Sequence, residues 1–141
     1  MSTALVVYVL TALAAVVVVL THVRLAGDRA GAGNFRMGRG LVNAHTVAGV
    51  IALVVWVTFL VADEKTTAGG SLVGIVALLF WWVTALLGLL LLMRWLPARG
   101  KHADSRAEDT WSEGPGLSLL AHVGLLIGVC VFTAAYLTSA V

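Results

Sequence analysis

Four long apolar runs decide what this chain can become: residues 4–26, 41–62, 71–96 and 117–140. Each is about as long as the roughly 20 helical residues that cross a hydrocarbon core of about 30 Å. Together they take up most of the 141 residues, which leaves no room for a soluble domain. The alternation of a membrane β-barrel is absent, so the spans are expected to be helices that satisfy their own backbone groups. Composition agrees: 60% of residues are hydrophobic and 11% charged, against about 45–50% and about 25% in soluble domains. The expected fold class is all-α, an integral membrane four-helix bundle. The links are short at each step, which favours an up-down-up-down order.

Orientation follows from the basic residues. Arg24, Arg29, Arg36, Arg39, Arg94, Arg99, Lys101 and Arg106 fall on one side of the predicted membrane, and Lys65 alone falls on the other. The positive-inside rule makes the first side cytoplasmic and puts both termini outside. The first run has no basic residue before it, is too long for the apolar region of a cleavable signal, and is followed by Arg24. It reads as a signal anchor. Abundant Ala, Val, Leu and Arg with little Lys point to a high-GC bacterium, hence a multi-pass protein of a bacterial plasma membrane. The net charge of +2 comes from this asymmetry, and nucleic-acid binding is not implied.

Between the runs, "GDRAGAGNFRMGRG" reads as an irregular loop and "DEKTTAGG" as a short outer turn that makes the second and third spans antiparallel neighbours. The segment "PARGKHADSRAEDTWSEGPG" is the one long polar stretch. Ser105 and Glu108 have capping-box spacing there, which predicts a short surface helix to about Trp111. Pro115 and Gly116 are expected to break the chain before the last span. The single cysteine, Cys130, lies in mid-span, so there is no disulfide framework, zinc ribbon or covalent c-type haem motif.

The chemistry is in the histidines. Of four, His102 lies in the polar loop and is expected to be solvated. His22 is near the cytoplasmic end of the first span, and His45 and His122 are each about one turn into the second and fourth spans from the same side. At about 1.5 Å per residue the three share one depth. Intramembrane ionisable groups are costly and mark candidate functional sites. In an up-down bundle the second and fourth helices are diagonal, with axes roughly 12–14 Å apart if neighbours lie about 8–10 Å apart. Two inward imidazoles can clamp one iron across that gap, as in bis-histidine ligation of a b-type haem. Ala48, Gly49 and Ala52 follow His45 on one face, where a flat macrocycle needs room. Arg24, Arg39 and Arg94 stand near the same membrane surface, where carboxylates of such a group would meet them. Gly124 and Gly128 have GxxxG spacing, which favours close helix packing.

On "NAHTVAGV" with His45 and "LLAHVGLLIG" with His122, the chain resembles four-helix membrane b-type cytochromes of the cytochrome b561 superfamily. The resemblance implies histidines on alternate helices holding haem inside the bundle. That family has two histidine pairs; here the third span and the outer half of the bundle have no histidine. The resemblance therefore implies one haem b, ligated by His45 and His122, near the cytoplasmic face. His22 remains open as an axial ligand, a propionate partner or part of a quinone pocket, and Met93 is a distant axial candidate. The expected work is electron transfer with quinone or a partner redox subunit, as an oligomer or complex subunit. An enzymatic role would be that of a haem-dependent oxidoreductase component.

Other readings stay beside this one. A non-catalytic accessory subunit would use its histidines as hydrogen-bonding groups. A three-histidine site from His22, His45 and His122 would take zinc or copper. A proton-coupled exporter is disfavoured because no carboxylate lies inside a span, and a hydrolase because no Ser/His/Asp or HExxH constellation occurs.

Overall fold

The structure is a computed structural model that describes residues 2–28, 39–95 and 115–141. The side chains of residues 21, 22, 24–28, 39, 94, 95 and 115–118 lie outside that description. The expected surface helix up to Trp111, and His102, are also outside it.

The described residues form four helices and no strand: α1 (Thr3–Asp28), α2 (Arg39–Val61), α3 (Ser71–Trp95) and α4 (Pro115–Leu137). All four contain stretches long and apolar enough to cross a membrane. Their apolar residues are spread around the whole circumference, as expected where the outer surface meets lipid rather than water. Pro115 opens α4 instead of breaking the chain before it. A proline at the first helical position gives up only an N–H that has no partner there in any case.

α2 packs on α3, α3 on α4, and α1 touches both α2 and α4. No Cα of α2 comes within 8 Å of one in α4, and the same holds for α1 and α3. The core gathers Val7 of α1, Ala52 and Trp56 of α2, Ala77, Trp81 and Ala85 of α3, and Val129, Phe132 and Ala135 of α4. Trp56 stacks on Phe132 with ring centres 5.0 Å apart, and Trp81 meets the same ring at 5.6 Å. Hydrogen bonds tie these rings across helices. Trp56 Nε1 donates to Thr11 Oγ1 of α1 at 3.1 Å, and Trp82 Nε1 to Thr133 Oγ1 of α4 at 3.2 Å. Both threonine hydroxyls in turn donate to the carbonyl four residues back in their own helix, so no buried hydroxyl proton is stranded.

The turn between α2 and α3 is locally determined. The Asp63 carboxylate accepts from the Lys65 N–H at 2.9 Å, and Thr66 Oγ1 donates to the Asp63 carbonyl at 2.7 Å. Gly69 lies so close to the Asp63 backbone that a side chain there would collide with it. This compact turn brings Gly74, near the start of α3, against Phe59, near the end of α2.

Candidate functional site

His45, on α2, and His122, on α4, face each other with ring centres 6.0 Å apart and planes inclined at 27°. The third participant is Gly88 of α3. A Cβ built on Gly88 would lie 2.8 Å from His122 Cδ2, 3.4 Å from His122 Nε2 and 3.0 Å from His45 Cε1. Both imidazoles therefore rest on the bare backbone of α3, and a Cβ at this position would force the rings to shift.

α3 also orients His45. Its Nδ1 lies 3.0 Å from the carbonyl oxygen of Thr84, one turn before Gly88. A carbonyl only accepts, so Nδ1 carries the proton and donates it. In the neutral ring this leaves Nε2 as the atom with a free lone pair. A histidine whose other ring nitrogen is held by a carbonyl has the tautomer and orientation of a metal ligand. Thr84 Oγ1 donates to the Phe80 carbonyl at 2.8 Å, so that side chain is occupied locally.

The small residues that follow His45 are buried: Ala48 is 7% exposed and Ala52 is fully covered. Gly49 lies against α3, where an added Cβ would be 3.4 Å from Thr84 Cγ2. These residues bring α2 onto α3 and so place the Thr84 carbonyl within reach of His45. Gly124 and Gly128 behave differently. Among the described residues, nothing outside their own helix lies within 4 Å of a Cβ built on either. The close packing expected of their spacing is not made within the described bundle.

Of the other candidates, Met93 is 67% exposed. His22, Arg24, Arg39 and Arg94 have backbone placed in α1, α2 and α3, at the ends of those helices, and their side chains lie outside the described residues. No group of three or more His, Cys, Asp or Glu side chains converges among the described residues. The pair formed by His45 and His122 is what the fold brings together.

Sequence reasoning missed Gly88 and the Thr84 carbonyl. Gly88 had a signal, a lone glycine in "TALLGLL" inside an otherwise apolar helix, which marks a close approach. The carbonyl had none, because a backbone acceptor is the same at every residue.

Comparison with protein-family models, with curated proteins and with solved structures gives no match to this chain.

Proposed function

We propose that this chain is a membrane b-type cytochrome in which His45 and His122 hold one haem near the cytoplasmic face of an up-down-up-down bundle. The observation that carries the reading is the imidazole pair seated on Gly88, with rings 6.0 Å apart. The donor set fits: two imidazoles, one with its Nδ1 proton committed to a carbonyl and its Nε2 lone pair left for an iron. Gly88 supplies a cradle that a Cβ would fill.

A bound haem would supply reversible one-electron transfer, at a potential tuned by the residues that hold it. The chain does the holding. The Thr84 carbonyl keeps His45 from rotating, and Gly88 lets α3 support both rings. Arg24, Arg39 and Arg94 lie at helix ends on the basic side of the sequence and are assigned to the propionates. Quinone or a partner redox subunit in a bacterial plasma membrane is the other redox party, and both termini are outside.

A second reading has an observation of its own. Phe59 and Tyr136 meet over Gly74 in the same way as the histidines meet over Gly88. Side chains alone can therefore build such a layer, as an accessory subunit would require. The experiment is haem quantitation on purified protein. One haem per chain, lost in both His45→Ala and His122→Ala and kept in His102→Ala, is expected. Folded, colourless protein from cells supplied with haem decides for the accessory subunit.

A further inference from the structure

One residue of α3 meets α2 at two successive turns. The Thr84 carbonyl accepts from His45 Nδ1 at 3.0 Å. The Thr84 methyl carbon, Cγ2, is 3.4 Å from where a Cβ would stand on Gly49. Gly49 follows His45 by four residues, so the two positions share the face of α2 that α3 covers. Thr84 is buried, and its remaining group is fixed as well: Oγ1 donates to the Phe80 carbonyl at 2.8 Å. Threonine in a helix divides between two rotamers, because its hydroxyl can reach a carbonyl one turn back. Here that bond fixes χ1, and with it the direction of the methyl group. Carbonyl and methyl group are then held in one covalent frame, the first on His45 and the second facing Gly49. In a close-packed interior, one methylene more or less moves its neighbours. The separation of α2 and α3 beside His45 is therefore gauged by this methyl group.

We infer that Thr84 is the positioning residue for His45: its methyl group spaces α2 from α3, and so sets the length of the Nδ1–H···O bond and the strength of His45 as a ligand. A shorter bond from Nδ1 leaves Nε2 a stronger electron donor, and partners of this kind tune the affinity and potential of a metal. The effect on potential rests on the haem reading. The effect on the bond does not, because His45 makes that bond to the chain itself.

The test uses the full chain in lipid bilayers, labelled with 15N and studied with and without added haem. Thr84→Ser keeps the hydroxyl and removes the methyl group. Thr84→Val keeps a methyl group in its place and removes the hydroxyl. Thr84→Ser combined with Gly49→Ala returns a methyl group to the same space from α2. Without haem, the Nδ1 proton and nitrogen signals of the His45 ring report the bond. Thr84→Ser should move that proton downfield, the mark of a shorter bond, while Thr84→Val and the double variant stay close to the unaltered chain. With haem, the midpoint potential of Thr84→Ser should become more negative and that of Thr84→Val should not change. A His45 proton that stays in place or moves upfield in Thr84→Ser overturns the proposal. So does an equal shift in Thr84→Val, which would give the control to the hydroxyl. If the chain takes up no haem, the haem reading fails, and the ring signals still decide the role of Thr84.

Discussion

At the end of the bundle where α3 begins, Gly74 sits beneath Phe59 and Tyr136; at the other end Gly88 sits beneath His45 and His122. Fourteen residues separate the two glycines, fourteen separate His45 from Phe59, and fourteen separate His122 from Tyr136. That is close to four helical turns, or about 21 Å along an axis. The three helices therefore present the same arrangement twice, a ring from α2 and a ring from α4 on a glycine of α3. The difference lies in the atoms. Phe59 brings only carbon, and Tyr136 sends its hydroxyl out of the layer to donate to the Ser71 carbonyl at 2.8 Å. The Phe59 and Tyr136 rings are 5.8 Å apart and tilted by 58°, an edge-to-face contact that hydrocarbon rings favour. The histidine layer puts four ring nitrogens in the same apolar setting, where polar groups are costly unless they are partnered. One layer closes the bundle, and the other is the place where it can hold something.

The largest expected effect separates the layers outright. His45→Ala and His122→Ala should each lose low-spin haem while the bundle still unfolds cooperatively, whereas Phe59→Ala should keep the spectrum and lower stability. Spectra and thermal unfolding of the purified variants check this, and a haem content that falls equally in all three would erase the distinction. Next in size is Trp56→Ala. It removes a fully buried ring from the stack with Phe132 and leaves Thr11 without its donor. A cost of about 3–5 kcal/mol is expected, read as reduced resistance to denaturant.

The glycines sharpen the comparison further. Gly88→Ala places a methyl group 2.8–3.0 Å from both imidazoles, and Gly74→Ala places one 2.5 Å from Tyr136 Cε2 and 3.1 Å from Phe59. Each overpacked layer is expected to lose about 1–3 kcal/mol. Only Gly88→Ala should also alter the haem spectrum or midpoint potential; an altered spectrum in Gly74→Ala would mean that the two layers are coupled. The smallest expected effect is that of Tyr136→Phe, which gives up the bond to Ser71. About 0.5–1.5 kcal/mol is the usual scale for one hydrogen bond, and the lower end is expected at this exposed position. A loss of several kcal/mol would show that this bond, and not the edge-to-face rings, closes the Gly74 layer.

The helices were legible because hydropathy alone sets them. The expected spans 4–26, 41–62, 71–96 and 117–140 each fall within two or three residues of the ends of α1 to α4. His45 and His122 were legible for a related reason: polar groups stand out in apolar runs, and equal depth on the second and fourth helices brings them to one level. Gly88 was not, since its neighbours come from helices 43 and 34 residues away in the chain and a glycine says nothing about which rings cover it. The fourteen-residue repeat was hidden as well, because it joins histidine to phenylalanine in α2 and histidine to tyrosine in α4, and becomes visible only when both are seen lying on the glycines of α3. Gly124 and Gly128 misled in the opposite direction, since their spacing permits close packing without requiring a partner in the same chain.

The central claim is that two imidazoles clamp one iron over Gly88. The electron paramagnetic resonance spectrum of the oxidised, purified protein tests it most directly. The account predicts a low-spin ferric signal of bis-imidazole type that integrates to one spin per chain and disappears in both His45→Ala and His122→Ala. A high-spin signal in the unmodified protein, or a low-spin signal that survives either substitution, would contradict it.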